Sequence, residues 1–439
     1  MKIYSTYSAR IKHYNHIFTP TVEIYRRAVD FFINVLLENT DIFTSYTIQQ
    51  EQVNAVELLT VTTKKHPVVA YDFSKAFYKF PCYLRRAAIA EALGLVSSYL
   101  SNKENWEALS GQEKQGCKPP SVPVAGYVFP VLYRKNMFSP VNRYLMNIKV
   151  YINNTWDWLT VKLRKSDVDY IERRCSHRKM CAPTLQKRGK KWSLDFPFEE
   201  DVTLVDIPVT QQTAIAVDLG INNACTCSVM SHDGTVFGRH FLRLPKEYDS
   251  LGHALNRIKK QQQLGHTRMP SLWAKAKGIN HDITVKTAQF IIDVAIRYNA
   301  DVIVFEHLDL DGKKKGSKKQ CLHMWKARDV QRMVTDKAHR LKMHVSHVNA
   351  WGTSRLAFDG SGKVKRGCES ERTNGNHSIC EFQTGKIYNC DLNASYNIGA
   401  RYFIREILKS LPEMARLQLE AKVPQACKRS TCTLSTLTA

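Results

Sequence analysis

Two short apolar segments in the second half of the chain, each ending in an acidic residue, constrain the fold most strongly. TAIAVD ends at Asp218, and ADVIVFE ends at Glu306. Short apolar runs rich in β-branched residues are typical of strands buried on both faces of a sheet. In open α/β sheets, functional groups collect at the carboxyl ends of the strands. Because a carboxylate at the end of an apolar strand loses solvation unless a partner compensates it, both acids are candidate site residues.

A third candidate is Asp391, which opens the predicted helix DLNASYNIGARYFIREIL. Any one of the three acids could instead be a turn residue or a helix cap. A divalent cation would compensate all three at once, and Mg²⁺ prefers hard oxygen ligands while it keeps several waters. Phosphodiester hydrolysis by two metal ions needs acidic ligands that hold the ions about 3.5–4 Å apart. The sequence therefore predicts that Asp218, Glu306 and Asp391 are the catalytic residues and the Mg²⁺ ligands of a phosphodiester hydrolase.

The order of predicted elements around these acids is that of a three-layer α/β domain. TAIAVDLG, CTCSVM and TVFGRHFLRL are expected to form three strands in succession. A helix over 250–298, the strand ADVIVFEHL, a helix over 321–343, the strand KMHVSHVNA and a final helix follow. An RNase H-like fold has this order, and other α/β folds have it too.

The first half of the chain has a different pattern of predicted helices and strands. A strand is expected over Lys2–Ile11, and the spacing of apolar residues predicts that residues 20–110 are mostly helical. The Pro-rich stretch KPPSVPVAGYVFP, which starts at Lys118, leads into a β-rich region over 129–207. The simplest interpretation is a small β-barrel whose first strand lies near the N-terminus, with the helical segment inserted into it.

The charge balance indicates a polyanionic partner, either nucleic acid or an anionic membrane surface. The 439 residues include 64 Lys and Arg against 40 Asp and Glu, a net charge of +24. Residues 251–350 alone hold 19 basic and 8 acidic residues, which favours binding to a phosphate backbone. No segment approaches the roughly 20 apolar residues of a membrane span, and no apolar signal region is found at the N-terminus. We therefore expect no membrane partner, no export, and cysteines that are reduced thiols.

Three further observations carry a family resemblance. AVDLGINNACTCSVM, VIVFEHLDL and CDLNASYNIGAR resemble the three split RuvC motifs of the TnpB family, transposon-encoded RNA-guided DNA endonucleases related to compact type V CRISPR effectors. The spacing agrees, with 88 residues from Asp218 to Glu306 and 85 from Glu306 to Asp391. KRGKKWSLDFPFE resembles the strand before the family's nuclease domain, and HVNAWGTSR resembles its strand and Thr-Ser turn. The resemblance covers about 180–410 and is weak over 1–175.

The resemblance implies a multidomain α+β fold. A β-barrel wedge domain would carry an inserted helical recognition domain and would be followed by an RNase H-like (RuvC) α/β nuclease domain. The expected ranges are 1–15 and 119–210 for the wedge domain, 16–118 for the recognition domain, 211–355 and 388–420 for the nuclease domain, 356–387 for an inserted loop subdomain, and 421–439 for a disordered tail.

It also implies an RNA-guided DNA endonuclease with two Mg²⁺ ions held by Asp218, Glu306 and Asp391. A guide RNA would pair with one strand of a double-stranded DNA target, while the protein reads a short adjacent duplex motif. One chain per guide RNA is expected, in the prokaryotic cytoplasm and associated with the nucleoid.

The candidate nucleic-acid contacts are basic and aromatic residues spread over all the expected domains. The basic loop DGKKKGSKKQ, just after Glu306, is expected to lie over the substrate strand. Exposed tryptophans could add stacking platforms for single strands, and Trp273, Trp325 and Trp351 are the candidates. The expected contacts are Arg26, Arg27, Arg85, Arg86, Tyr127, Arg134, Lys259, Lys260, Lys313, Lys314, Lys315 and Arg355.

One departure from the family concerns zinc. Members of the TnpB family usually carry a zinc ribbon of two CxxC pairs between the second and third motifs. The corresponding region here offers only Cys368, His377, Cys380 and Cys390, in the order C-x8-H-x2-C-x9-C. Because this spacing matches no standard structural site, we expect no zinc and a loop subdomain without metal.

Three alternatives share these residues. The chain could be a compact type V effector guided by CRISPR RNA, or an RNA-guided repressor that binds DNA without cutting it. It could also be a transposase that joins DNA ends with RNase H-like chemistry and no guide. The sequence does not separate a transposon nuclease from a CRISPR effector.

Overall fold

The computed structural model describes residues 1–13, 16–64, 66–115, 117–133, 135–220, 223–308, 326–423 and 434–438. The chain divides into two compact units, Lys2–Glu200 and Asp201–Ala439, the second of which includes Met1. The expected start of the nuclease domain, residue 211, lies ten residues beyond this division.

The first unit is a helical segment flanked by strands. Its elements are β1 (Lys2–Arg10), α1 (Thr19–Glu38), α2 (Ile42–Ser45), α3 (Gln49–Thr60), α4 (Phe73–Ala76), α5 (Cys82–Glu107), α6 (Gly111–Lys114), β2 (Phe138–Pro140), β3 (Leu145–Ile152), β4 (Thr155–Lys162), α7 (Lys165–Cys175), β5 (Lys179–Met180), β6 (Thr184–Arg188) and β7 (Lys191–Asp201). The predicted first strand and the mostly helical character of 20–110 are confirmed.

One hydrophobic core joins the helices and strands of this unit. In α1, buried residues recur every three or four positions, as at Tyr25, Val29, Phe32 and Leu36, and this spacing places them on one face. The same core contains Trp192 of β7, which is 1% exposed. The helical segment and the strands are therefore packed together within the unit.

The predicted closed β-barrel is not seen among the described strands. They form two sheets: β1–β7–β5 with β6 paired to β7, and the antiparallel sheet β2–β3–β4. An isolated bridge between Ile11 and Leu163 links segments of the two sheets. Asn153 and Asn154, both with positive φ, form the tight turn between β3 and β4, as expected for a two-residue hairpin loop.

The second unit contains a central sheet covered by helices, followed by smaller elements. These are β8 (Ala214–Asp218), β9 (Cys225–Met230), β10 (Val236–Leu242), α8 (Pro245–Gln263), α9 (Pro270–Arg297), β11 (Val302–His307), α10 (Ala327–Arg340), β12 (His344–Asn349), β13 (Lys365–Arg366), β14 (Ile379–Glu381), β15 (Ile387–Asn389), α11 (Cys390–Ser410), α12 (Glu413–Lys422) and α13 (Leu434–Thr438).

The central sheet has the order β10–β9–β8–β11–β12. β8, β9 and β10 are antiparallel neighbours, whereas β11 pairs in parallel with both β8 and β12. Ile215 of β8 belongs to a core shared with α9 and α10, and Ala216 belongs to a separate core shared with α11. The sheet is therefore buried on both faces, as the apolar composition of its strands predicts.

Three details differ from the sequence-based expectations. The predicted helix over 250–298 is two helices, separated by a turn at Gly265, where φ is +83°. The expected loop subdomain holds a small antiparallel sheet, β13–β14–β15. The expected disordered tail is helical over 434–438, where Leu434 and Leu437 are buried against α11.

The long helices of both units are amphipathic or polar on one side. Among the described residues, none forms a helix whose length and apolar content would let it cross a lipid bilayer.

Candidate active site

The carboxyl ends of two neighbouring parallel strands carry Asp218 and Glu306. β8 and β11 pair in a register whose last pair is Val217 opposite Phe305, and each acid follows that pair. Both side chains are half-buried. The fold thus brings two acids that are 88 residues apart to the same edge of the sheet.

Asp391 reaches this edge from the first turn of α11. The Asn389 side chain caps the helix, and its Oδ1 accepts hydrogen bonds from the backbone amides of Asp391 and Leu392, at 3.0 and 2.9 Å. The helix packs closely on β8 because Gly399 has no side chain. A Cβ at that position would lie only 3.1 Å from the Cβ of Ala216.

The three carboxylates interact electrostatically. Burial raises the pKa of Asp218 well above its usual range, and the charges of Glu306 and Asp391 raise it further. Burial is also the largest cause of the raised pKa of Glu306. The charges of Glu306 and Asp391 thus oppose that of Asp218, and a bound cation would relieve that repulsion.

The donor chemistry of this cluster fits Mg²⁺, because all three candidates are carboxylates. Within the ranges that the structure describes, no three His, Cys, Asp or Glu side chains are spaced as a metal site. The three acids thus share one edge of the sheet without the spacing of a formed metal site, and the assignment of these residues as metal ligands remains a prediction.

Two neighbouring side chains orient these acids, and the sequence analysis did not identify them. The Thr353 hydroxyl, 2% exposed, donates a hydrogen bond to the Glu306 carboxylate, which opposes the rise in the pKa of Glu306. Asn223 Nδ2 donates to Asp391 Oδ2 at 2.5 Å. Thr353 lies in the Thr-Ser turn that carries part of the resemblance, and Asn223 lies within the motif AVDLGINNACTCSVM, so both positions had a weak signal in the sequence.

Two arginines also bear on the cluster. Arg401 of α11 is 7% exposed, and its Nη1 donates to the Asn349 carbonyl at 2.6 Å. Its charge lowers the pKa of Glu306, while burial lowers the pKa of Arg401 itself. Arg366 of β13 lowers the pKa of Asp218. The carboxylates are therefore partly compensated by fixed positive charge.

The cysteines of the inserted subdomain form a pair rather than a four-ligand set. The thiols of Cys380 and Cys390 share a hydrogen bond, which lowers the pKa of Cys390 and raises that of Cys380. Cys368 is exposed, and the His377 ring lies over Gly367, where a Cβ would be 2.3 Å from His377 Cε1. The expectation of no zinc here stays a prediction.

Four of the predicted nucleic-acid contacts in the helical segment make internal contacts. Arg85 and Arg86 both pair with Glu57, at 2.8 and 3.0 Å. Arg26 Nε donates to the Val128 carbonyl at 3.0 Å, and Arg27 lies over the Phe77 ring. These internal contacts occupy guanidinium groups that could otherwise bind a phosphate, so the assignment of these arginines as nucleic-acid contacts remains a prediction.

The other predicted contacts are distributed differently. Tyr127 is 95% exposed, Lys259 and Lys260 are exposed near the end of α8, and Arg355 pairs with Glu369 at 2.8 Å. Of the tryptophans, Trp273 is half-buried and Trp351 is 72% exposed. The remaining candidates lie outside the described residues: Arg134, Lys313, Lys314, Lys315 and Trp325.

The first unit contains a basic cleft that the sequence analysis missed. Three segments distant in sequence meet there, because Ile11 N donates to the Trp192 carbonyl at 2.9 Å and Arg164 N to the Arg10 carbonyl at 2.8 Å. No carboxylate is among the described residues that line the cleft, whose volume is about 460 Å³. The lining residues are Arg10, Ile11, Lys12, His13, Arg164, Lys190, Lys191 and Trp192. Such a concentration of positive charge attracts anionic groups such as phosphates.

Comparison with known proteins identifies the family. A family model described as the Aq_aa04 family matches residues 5–152. The uncharacterized protein aq_aa04 of Aquifex aeolicus (strain VF5) is 30% identical over 154 residues, which cover 32% of this chain and 82% of that protein. The TnpB-like protein aq_aa05 of the same strain is 27% identical over 237 residues, 48% of this chain and 74% of that protein. The chain belongs to the Aq_aa04 family and is a TnpB-family protein.

A solved structure extends the comparison over most of this TnpB-family chain. The mini-RNA-guided endonuclease CRISPR-Cas_phi3 has a TM-score of 0.51 at 10% identity, covering 91% of this chain and 92% of that one. At this identity the likeness concerns the fold alone, a mixed α+β multidomain fold. The resemblance inferred from the three acidic motifs is thus confirmed at the level of the family.

Proposed function

We propose that this TnpB-family chain is an RNA-guided DNA endonuclease. The observation that carries the proposal is the convergence of Asp218, Glu306 and Asp391, from segments 88 and 85 residues apart, into one repelling carboxylate cluster at the edge of the sheet. The strand order and directions of the second unit are those of an RNase H-like domain, which supports a RuvC-type nuclease over 211–355 and 388–420.

The roles of the site residues follow from this arrangement. Asp218, Glu306 and Asp391 would hold two Mg²⁺ ions, which when bound supply an activated water and stabilise the leaving oxygen. Thr353 orients Glu306 through its hydroxyl, and this hydrogen bond opposes the rise in the pKa of Glu306. Asn223 fixes one carboxylate oxygen of Asp391 and so determines which oxygen faces the site.

The guide RNA is proposed to bind the first unit, in part at the basic cleft. The double substitution Lys190→Glu and Lys191→Glu should lower the amount of RNA that co-purifies, and should reduce the salt dependence of binding by about one unit for each lost phosphate contact. Lys103→Glu, on the exposed face of α5, is the control. Equal RNA binding by the double variant and the control would remove the cleft from the proposal.

The direct test is to purify the protein from cells that carry its native locus and to sequence the RNA bound to it. One abundant RNA with a constant scaffold and a variable end is expected, and it would direct cleavage of a matching DNA in Mg²⁺. Asp218→Asn should abolish cleavage and retain RNA binding. The control Asp282→Asn, which removes an exposed carboxylate of α9, should retain both.

Other outcomes select the alternatives. Repeat-derived RNA ends would indicate a CRISPR effector, and target binding without cleavage in either Mg²⁺ or Mn²⁺ would indicate a repressor. If no specific RNA is bound, the guided function is wrong, and a transposase acting on DNA ends becomes the leading hypothesis. A mass of two chains per RNA would contradict the expected single chain.

A further inference from the structure

Trp351 presents an exposed indole beside the carboxylate cluster. It lies in the turn after β12 and is 72% exposed, compared with 41% for Trp158, the next most exposed tryptophan among the described residues. Within the described residues, no aromatic ring or cation packs on its face. A large apolar face left open in water next to a candidate active site is a ready contact for a flat ligand.

The turn that carries Trp351 is held in place from both sides. The backbone amide of Trp351 donates to Asn349 Oδ1 at 2.7 Å, and the Asn349 carbonyl accepts from buried Arg401 at 2.6 Å. Gly352 follows with φ of +72°, a left-handed conformation that suits glycine. The indole is therefore exposed on a backbone that is fixed, which lowers the entropy lost on binding.

The same turn fixes the distance to the catalytic candidates. Thr353, two residues further on, donates its hydroxyl to Glu306. Two residues span at most about 7 Å along the chain, so the Cα of Trp351 lies within that distance of a residue in contact with Glu306. A DNA strand with its phosphate at the carboxylates would pass the indole within a few nucleotides of the cut.

We propose that Trp351 is a stacking platform for an unpaired nucleobase of the DNA strand that enters the site of Asp218, Glu306 and Asp391. This inference rests on the proposed function. Every base has a π-face, so the contact is independent of sequence, as a nuclease whose specificity comes from RNA pairing requires. Stacking requires an unpaired base, so the platform selects a single strand over a duplex.

The first test measures stacking without cleavage. In the RNA-bound Asp218→Ala protein, the adenine analogue 2-aminopurine is placed in turn at each position of the DNA strands near the cut. Stacking quenches its fluorescence. We expect quenching at one position that is lost in Trp351→Ala and retained in Trp351→Phe, while Trp158→Ala leaves it unchanged. If no position depends on Trp351, the proposal is wrong.

The second test combines Trp351→Ala with a DNA substrate that lacks the base at the stacking position. With the Asp218 site intact, Trp351→Ala should slow cleavage about 5- to 150-fold, the range expected for one stacked base. Removing the base at the stacking position should slow the unsubstituted protein equally and should not slow Trp351→Ala further. If the loss of cleavage rate from Trp351→Ala and the loss from removing the base add together, the proposal is wrong. If the unsubstituted RNA-bound protein neither binds nor cuts DNA, the proposed function itself fails, and this inference falls with it.

Discussion

The hydrogen bond from Thr353 to Glu306 gives the sharpest prediction about the site. Thr353→Val removes the hydroxyl and keeps the volume of a side chain that is 2% exposed, so packing is preserved and only the hydrogen bonds of the hydroxyl to Glu306 and to the Ala350 carbonyl are lost. Glu306 then loses the contact that opposes the rise in its pKa. The variant should bind Mg²⁺ more weakly at neutral pH, because a carboxylate must be ionised to act as a ligand.

The magnitude follows from the nature of the bond. A hydrogen bond to a charged group contributes about 1.5–3 kcal/mol, and loss of a residue that orients a metal ligand typically weakens metal affinity about 10- to 100-fold. Tenfold corresponds to about 1.4 kcal/mol, so the two ranges agree. We expect the Mg²⁺ concentration for half-maximal cleavage to rise about 10- to 100-fold in Thr353→Val.

The assay is the rate of guided DNA cleavage against Mg²⁺ concentration, measured at several pH values. Because the pKa of Glu306 rises in the variant, its activity should fall away at a higher pH than that of the unsubstituted protein. Thr353→Ser keeps a hydroxyl and should behave like the unsubstituted protein. A Thr353→Val variant that folds normally and keeps its Mg²⁺ midpoint and pH profile would refute the reasoning.

Three further predictions concern stability and the neighbouring loop. Without metal, Asp218→Asn should raise the Tm at neutral pH, because the pKa of Asp218 is higher in the folded state than in the unfolded state. The gain in Tm should vanish below about pH 4, where the carboxyl is protonated in both states. An unchanged Tm at neutral pH would contradict this prediction. Gly220→Ala places a Cβ 2.7 Å from the Asn223 carbonyl oxygen and should reduce cleavage by displacing Asn223. Gly278→Ala, with nothing within 4 Å of the added Cβ, should instead stabilise the protein by about 0.5–1 kcal/mol. Equal effects of the two variants in a cleavage assay would disprove the steric argument. Leu434→Ala should lower the free energy of unfolding in urea by about 2–5 kcal/mol if α13 packs as described, and no loss would show that this helix is not docked.

The sequence predicted the two strands that end in Asp218 and Glu306 because these features depend on local patterns. An acid that ends a buried apolar strand is visible in six residues, and the parallel pairing of β8 and β11 then places Asp218 beside Glu306. Thr353 and Asn223 could not be predicted in the same way. Their roles depend on loops that approach acids 47 and 168 residues away, and no periodicity encodes that approach.

The predictions that the structure contradicts also concern features that local sequence patterns do not determine. Closure of a β-barrel depends on pairing between distant strands, so the strand composition of 129–207 did not determine it. β13–β15 are two or three residues long, too short to show an alternating pattern. α13 has only Leu434 and Leu437 as buried residues, in a run of serines and threonines that resembles a disordered tail.

The basic cleft is a feature that charge counted along the sequence did not predict. Its positive charges come from separate short segments around Arg10, Arg164 and Lys190, and only the last of these, KRGKK, is a basic run by itself. The charge-rich window at 251–350 was visible in the sequence, and five of its 19 basic residues lie outside the described residues. Charge counted along the chain therefore indicated a polyanionic partner and missed this cleft.

The distribution of the acids along the chain has a consequence for biosynthesis. All strands of the first sheet are present once Asp201 has been made, because β1 pairs with β7, so this unit can fold early on the ribosome. Asp391 is the last of the three acids, 191 residues after Glu200. At about 5–20 residues per second, about 10–40 s separate the two events. A nascent chain can thus complete the unit that we propose binds RNA well before it holds all three of the proposed catalytic carboxylates, and under this proposal it could not cut DNA during that interval.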